Sequence, residues 1–210
     1  MEQQIMYAFD LIGTVIFAIT GAVRGVRLKL DLLGVIVFAC TVGVGGGMMR
    51  DTIIGATPVA ALRNETYLIA CIVTGLIVFF TARWIQAERH IITWFDAVGL
   101  GVFTALGAAA GVEHGLTFIG IVLTGVFTAA GGGVIRDVMS VRIPVILVSD
   151  FYATASLLGG ILYFALAKWT RIPIFWNFII VLVFVAGLRM TAVHFKMRLP
   201  AAGRLFRKRR

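Results

Sequence analysis

The amino-acid sequence predicts an all-α integral membrane protein of seven transmembrane helices, built as an inverted 3+3 internal repeat followed by a seventh helix. The chain of 210 residues is 60% hydrophobic and only 14% charged, with a mean hydropathy of +0.99. Soluble domains carry about 25% charged residues. Its apolar stretches run for about 17 to 25 residues, which is enough to cross a hydrocarbon core of about 30 Å. A seven-residue motif that occurs twice predicts the repeat.

The apolar segments are separated by short stretches rich in charged and turn-forming residues, such as LRNET and GVEHG. The predicted spans, in chain order, are Tyr7–Val23, Leu32–Thr57, Tyr67–Trp84, Phe95–Gly111, Leu116–Val141, Phe151–Trp169 and Pro173–Ala192. The predicted organisation is a first three-helix repeat at 1–86, a second at 87–170, a seventh helix at 171–195 and a basic tail at 196–210.

The distribution of basic residues predicts the orientation in the membrane. The connections after the first, third and fifth spans hold Arg24, Arg27, Lys29, Arg83, Arg89 and Arg142, and the last fifteen residues hold seven of the 19 Lys and Arg. The opposite side holds Arg63, Lys168 and Arg171. Because basic residues favour the cytoplasmic side, we expect a cytoplasmic C-terminus and an external N-terminus. The tail predicts contact with anionic lipid, and the net charge of +9 needs no nucleic-acid partner.

The motif GGGMMRD at Gly45–Asp51 returns as GGGVIRD at Gly131–Asp137, with an offset of 131 − 45 = 86 residues. The same offset relates further pairs without a gap: Asp10 and Asp96, Gly13 and Gly99, Phe17 and Phe103, Gly21 and Gly107, Gly34 and Gly120, Pro58 and Pro144. Each unit holds three spans, so the second copy must cross the membrane with opposite polarity. Such inverted repeats are typical of transport proteins with a path at the repeat interface.

The glycine triplets predict breaks in the second and fifth spans. A straight helix from Leu32 to Leu62 would be about 46 Å long, which exceeds the hydrocarbon thickness. Successive glycines are the natural place for a break, because each costs up to about 1 kcal/mol in a helix interior. The predicted kinks, which would line a pore, are Gly45, Gly46, Gly47, Gly131, Gly132 and Gly133. The alternative is that the glycines only allow helices to pack closely.

Four charged residues follow the triplets: Arg50, Asp51, Arg136 and Asp137. Each costs about 2.5–3.5 kcal/mol at the bilayer centre unless it has a partner or water. Adjacent helical residues do not face each other, so we expect pairing across the repeat. The expected partners are Asp137 or Asp96 for Arg50, and Asp51 or Asp10 for Arg136. These pairs would be pore charges, static braces between the repeats, or both.

Secondary candidates are Asp10, Asp96, Asp150 and Tyr152, which lie at the starts of predicted spans. Capping or interfacial solvation is the alternative role for the two aspartates at the first and fourth spans. The three histidines show no metal-ligand spacing, and no phosphate-binding or nucleophile motif is present. We therefore expect neither an enzyme nor a metal or cofactor site.

The doubled GGGxxRD motif on seven predicted spans resembles the prokaryotic trimeric intracellular cation (TRIC) channels, a family also labelled UPF0126 and glycine-transporter domain. The resemblance covers essentially Asp10–Ala192. It implies a homotrimer in which each protomer has its own pore, lined mainly by the second and fifth spans. It also implies a channel for monovalent cations, mainly potassium. Animal members have a lysine-glutamate motif where this chain has glycine, arginine and aspartate, so their phosphoinositide dependence does not carry over.

Two other classes of function remain open from the residues themselves. An arginine-aspartate pair in a cavity also suits a zwitterion, with the arginine meeting a carboxylate and the aspartate meeting an ammonium group. A transporter of small amino acids, glycine first among them, is therefore the main alternative. A non-conducting structural or receptor-like membrane protein is the third class, but it would leave the doubled charges without a purpose.

Overall fold

The computed structural model describes residues 2–85, 89–148, 151–195 and 197. All regular secondary structure in these residues is helical, which confirms the all-α prediction. The helices are α1 (Glu2–Arg27), α2 (Leu32–Ile53), α3 (Ala60–Arg63), α4 (Thr66–Ile85), α5 (Arg89–Glu113), α6 (Phe118–Met139), α7 (Val145–Val148), α8 (Ala153–Trp169) and α9 (Ile174–His194). Two of them, α3 and α7, are single turns.

Five helices in the described part of the chain are long and apolar enough to cross a membrane. These are the segments Gln4–Arg27, Leu32–Ile53, Ile92–Glu113, Phe118–Met139 and Ile174–His194. Two shorter apolar helices, Thr66–Thr81 and Ala153–Trp169, occupy the places predicted for the third and sixth spans. The count of seven spans therefore stays a prediction for these two helices.

The turns between helices are built alike in the two halves of the chain. Asp31 caps α2 by accepting a hydrogen bond from the Gly34 amide at 2.7 Å. At the position 86 residues on, Thr117 caps α6 by accepting one from the Gly120 amide at 3.3 Å. These side chains satisfy amides that a helix start leaves without partners. Sequence positions one repeat apart thus adopt the same local structure.

The helices pack in a pattern that also follows the 86-residue offset. Helices α1 and α2 run antiparallel, as do α5 and α6, and α2 crosses α6 at the centre of the bundle. The rings of Phe17 and Phe103, which are equivalent positions, pack against each other with centroids 5.1 Å apart and planes tilted by 31°. An added Cβ on Gly13 would meet Val102 and Phe103, and one on Gly99 would meet Ile16 and Phe17. These contacts relate the two halves by an approximate two-fold axis.

The predicted helix breaks at the glycine triplets are not confirmed, because α2 and α6 are continuous through Gly45–Gly47 and Gly131–Gly133. Each has 22 residues and is about 33 Å long, so it fits the bilayer without a central break. The chain leaves the helix later, where Gly55 and Val141, also equivalent positions, have φ of 72° and 53°. The helix length estimated from the sequence was too large because it included the short turn helices α3 and α7, which lie beyond the ends of α2 and α6.

Close packing explains the triplets instead. A Cβ on Gly46 would clash with the carbonyl oxygen of Thr128, and one on Gly132 would clash with the carbonyl oxygen of Val42. These two contacts are equivalent under the offset. Small residues let backbones approach closely in membranes, where dispersion between helices replaces the hydrophobic effect. The alternative weighed from the sequence, close helix packing, is therefore the role the structure shows for Gly46 and Gly132.

We expect Gly46→Ala to destabilise the protein, because the new methyl group must push α2 away from the α6 backbone. Overpacking of this kind costs about 1–3 kcal/mol. The matched control is Gly187→Ala on α9, where an added Cβ meets no described atom within 4 Å. The measurement is the midpoint of thermal unfolding of the purified protein in detergent. An equal midpoint for the two variants would contradict close packing at Gly46.

Candidate functional site: two arginine-aspartate clusters and a polar cavity

The first cluster joins α1 and α2 at the end of the bundle that holds the start of α1. It consists of Asp10, Arg50 and Asp51, each at most 8% exposed. Arg50 Nη1 donates to Asp10 Oδ2 at 3.0 Å, and Arg50 Nε donates to Asp51 Oδ1 at 2.9 Å. Asp51 Oδ2 accepts from the Ala60 amide at 2.7 Å, and the Tyr67 hydroxyl donates to Asp10 Oδ2 at 3.2 Å. Every member is therefore held by at least one charge-assisted hydrogen bond.

The second cluster joins α5 and α6 at the opposite end of the bundle. It consists of Asp96, Arg136 and Asp137, each at most 7% exposed. Arg136 Nη1 donates to Asp96 Oδ1 at 2.9 Å, and Arg136 Nε donates to Asp137 Oδ1 at 3.1 Å. Asp137 Oδ2 accepts from the Val145 amide at 2.8 Å. The two arginine bonds reproduce those of the first cluster at the same repeat positions, and the amide bond reproduces the Ala60 bond with a shift of one residue.

The pairing predicted from the sequence is wrong. Arg50 pairs with Asp10 and with its neighbour Asp51, rather than with Asp137 or Asp96, and Arg136 pairs with Asp96 and Asp137 rather than with Asp51 or Asp10. The rule that adjacent helical residues do not face each other fails here because the arginine side chain is long and each aspartate lies at its helix end. The Nε group near the middle of that side chain reaches the neighbouring carboxylate.

The clusters lie on opposite sides of the α2–α6 crossing. Arg50 follows Gly46 by four residues, and Arg136 follows Gly132 by four residues, while the two helices run in opposite directions. Each arginine is therefore displaced about 6 Å along its helix from the crossing, in opposite senses. Both clusters contain one arginine and two aspartates, which gives each a formal charge of −1.

The two clusters have different neighbours. The described part of the chain places Tyr152 beside the second cluster, where its hydroxyl oxygen is 3.1 Å from the position of a Cβ on Gly133. The guanidinium of Arg189 lies over the Tyr152 ring, 5.0 Å from its centroid. Tyr152 is 2% exposed, so it is buried against the second cluster. Asp150 lies outside the described residues.

A polar cavity of about 720 Å³ reaches the first cluster. Asp10, Arg50 and Asp51 line one wall. The other lining side chains with polar groups are Tyr7, Tyr67, Glu113, His114, Tyr163 and Asn177. A smaller cavity of about 10 Å³, with space for about one water molecule, lies beside Gly47 and the same cluster. The first cluster is therefore reachable from one end of the bundle.

Several of these cavity residues escaped the sequence analysis. Tyr67 lies 85 residues before Tyr152, one short of the repeat offset, so a comparison of the repeats that tolerated a one-residue gap would have paired Tyr67 with that secondary candidate. Glu113 was treated only as part of a connecting stretch. Asn177 lies on α9, outside the repeat, and no pattern in the sequence marked it. Among the described residues, no group of three or more His, Cys, Asp or Glu side chains is placed to hold a metal ion.

The fold and the two buried clusters define a multi-span helical membrane protein with an internal duplication. The family model described as Glycine transporter matches the chain twice, at residues 7–83 and 93–168. The chain belongs to this family, whose members are also designated UPF0126. It is 32% identical over 201 residues to the UPF0126 inner membrane protein YadS of Escherichia coli strain K12, an alignment that covers 93% of this chain and 95% of that protein.

Solved structures with the same fold are TRIC channels. The TRIC trimeric intracellular cation channel orthologue from Rhodobacter sphaeroides matches with a TM-score of 0.87 and 31% identity, over 92% of this chain and 99% of that one. A second TRIC cation channel, solved in a study of conductance, matches with a TM-score of 0.85 and 34% identity, over 92% of this chain and 95% of that one. The chain is thus a membrane transport protein and not an enzyme.

Proposed function

We propose that the protein is a channel for monovalent cations, mainly potassium, with a pore inside each protomer of a homotrimer in the bacterial inner membrane. The observation that carries the proposal is the first cluster, which places two carboxylates and one arginine on the wall of a 720 Å³ polar cavity. The matching structures are trimeric cation channels by their own description, and YadS is an inner membrane protein. The proposed orientation is a cytoplasmic C-terminus, with the basic tail on anionic lipid.

The charge balance of each cluster favours cations over anions. The arginine would repel a cation if it stood alone, but two aspartates bind it and leave a net negative charge. Rings of carboxylates produce cation preference in pores of several folds. Gly47 contributes open space at this point, since the nearest atom to a Cβ there would be Arg50 Nη2 at 3.8 Å. We propose that the path passes Gly47, then the α2–α6 crossing, and then the second cluster beside Gly133.

The alternative is a transporter for a small amino acid, glycine first, and the description of the family model favours it. A zwitterion would need an arginine that is available to its carboxylate. In the structure, Arg50 Nε and Nη1 already donate to Asp51 and Asp10. The two aspartates also leave the cluster with a net formal charge of −1, which repels the carboxylate of a zwitterion and attracts a passing cation. The charge of the first cluster therefore supports the channel over the transporter.

Planar bilayers containing the purified protein, under a potassium chloride gradient, test the proposal. Single-channel steps that reverse near the potassium equilibrium potential are expected for a cation channel. Liposomes made from the same preparation are then tested for uptake of labelled glycine. If the bilayers show no single-channel current and the liposomes show saturable glycine uptake, the channel proposal is wrong and the protein is a transporter.

A further inference from the structure

The two ends of the bundle carry opposite charges at equivalent positions. Glu113 ends α5 and Arg27 ends α1, and they are related by the 86-residue offset, as 113 − 27 = 86. Both side chains are exposed. The two clusters follow the approximate two-fold symmetry, but the exposed ends of the bundle next to them do not. This difference gives the ends distinct electrostatic environments.

The polar cavity lies at the end of the bundle that holds the first cluster. Its lining has a net negative charge and includes a buried side-chain oxygen without a hydrogen-bond partner among the described residues. Its charged lining residues are Asp10, Arg50, Asp51 and Glu113, which sum to a formal charge of −2 with His114 neutral. Asn177 also lines this cavity and is 3% exposed. Its Oδ1 atom has no hydrogen-bond partner among the described residues. A buried amide oxygen without a partner is costly unless a ligand or water meets it.

At the opposite end, arginines surround the second cluster. Arg24 Nε donates to Ser140 Oγ at 2.8 Å, and Ser140 Oγ donates to the Arg136 carbonyl oxygen at 2.6 Å. Arg24 also interacts electrostatically with Arg27 and Arg142. Together with Asp96, Arg136 and Asp137, these three further arginines make a group of six described residues whose formal charges sum to +2. A cation that approaches from this side meets repulsion first.

We propose that the polar cavity is a cation-recruiting site, with Glu113 and Asn177 as specificity-determining residues, and that the described residues of the arginine-rich opposite end form no such site. This inference rests on the proposed channel function. The Glu113 carboxylate raises the local concentration of cations at the mouth of the cavity. The Asn177 oxygen replaces a water molecule in the shell of a partly dehydrated monovalent cation. Cation current is therefore larger for ions that enter through the cavity than for ions that enter from the opposite end.

Single-channel recording at 0.1 M and 1 M potassium chloride tests this proposal. Glu113→Gln is expected to lower the conductance about twofold at 0.1 M and to have little effect at 1 M, since the Debye length falls from about 10 Å to about 3 Å. Asn177→Leu is expected to lower the conductance at both salt concentrations, because its contact with the ion is direct. The matched control is Glu65→Gln, which removes the same charge from an exposed position outside the cavity lining.

A conductance of Glu113→Gln equal to that of Glu65→Gln at low salt would overturn the proposal while leaving the channel function intact. If the wild-type protein carries no potassium current, the proposed channel function is wrong. Cation binding in the cavity is then tested through its effect on protein stability. Thermal unfolding in detergent is then compared between potassium chloride and choline chloride at equal ionic strength. A rise in the midpoint with potassium that Asn177→Leu abolishes supports the site, and no difference between the salts overturns it.

Discussion

Replacing Arg136 by glutamine is expected to reduce the yield of folded protein severely. Arg136 balances Asp96 and Asp137 in a cluster that is at most 7% exposed, so its removal leaves two buried carboxylates facing each other. Breaking a buried ion pair from one side costs about 3–5 kcal/mol. That amount is a large part of the stability of an ordinary domain. The measurement is the monodisperse fraction after size-exclusion chromatography in detergent, together with the thermal midpoint.

The control for Arg136→Gln is Arg142→Gln, which removes an exposed arginine from the same end of the bundle. The double variant Arg136→Gln with Asp96→Asn should recover part of the lost yield and thermal stability, because it removes one of the two buried carboxylate charges left unpaired. A double-mutant cycle then isolates the coupling between the two side chains. Arg50→Gln is expected to be milder, because Arg50 borders the polar cavity and water can reach its partners. If Arg136→Gln matches Arg142→Gln in yield and midpoint, the second cluster contributes little to stability.

The sequence predicts the duplication well because the evidence for it is local and repeated. Identical residue types recur at one offset, and the structure shows that positions one offset apart cap helices, turn the chain and pack in equivalent ways. The helix break was mispredicted for a physical reason. Glycine has a low intrinsic helix propensity, but propensity is a weak prior, and the close contact of Gly46 with the Thr128 carbonyl depends on tertiary packing. A single sequence contains no information about which backbone a glycine will meet.

The pairing of the charges was harder to predict than their presence. Hydropathy alone shows that Arg50 and Arg136 need partners, and both have them. The partners depend on which helices are neighbours and on how far an arginine side chain reaches. Helix α1 packs along α2, so Asp10 comes within 3.0 Å of Arg50, although the two are 40 residues apart. The same neighbour relation brings Asp96 to Arg136.

Positions at which the two repeats differ, together with α9 outside the repeat, set the differences between the two ends. Tyr152 and Arg189 cover the second cluster, while Asn177 and Glu113 face the cavity that reaches the first. An exact two-fold protein would treat ions alike from both sides. In this chain α9, which follows the two repeats in the sequence, supplies Asn177 to one end and Arg189 to the other. The duplication thus provides the paired clusters, and the seventh long helix makes their surroundings unequal.

Neutralising Asp10 with asparagine is expected to weaken cation preference more than any other conservative change at the first cluster. Asp10 accepts from Arg50 Nη1 and from the Tyr67 hydroxyl through the same oxygen, Oδ2. The amide oxygen of asparagine can take that position, so both hydrogen bonds survive while the formal charge of the cluster changes from −1 to 0. A charge about 6 Å from an ion contributes about 1.4–2.8 kcal/mol at an effective dielectric constant between about 20 and 40. Cation occupancy should fall about ten- to a hundredfold.

The measurement for Asp10→Asn is the reversal potential under a potassium chloride gradient, which should move towards zero as anions begin to permeate. Asp31→Asn is the control, because it removes an exposed carboxylate outside both clusters and asparagine still caps α2. Asp96→Asn makes the equivalent change in the second cluster, where the arginines around it already weaken the attraction, so a smaller shift is expected there. If folded Asp10→Asn and Asp96→Asn both keep the wild-type reversal potential, the clusters act as braces between helices, and the preference for cations arises elsewhere along the path.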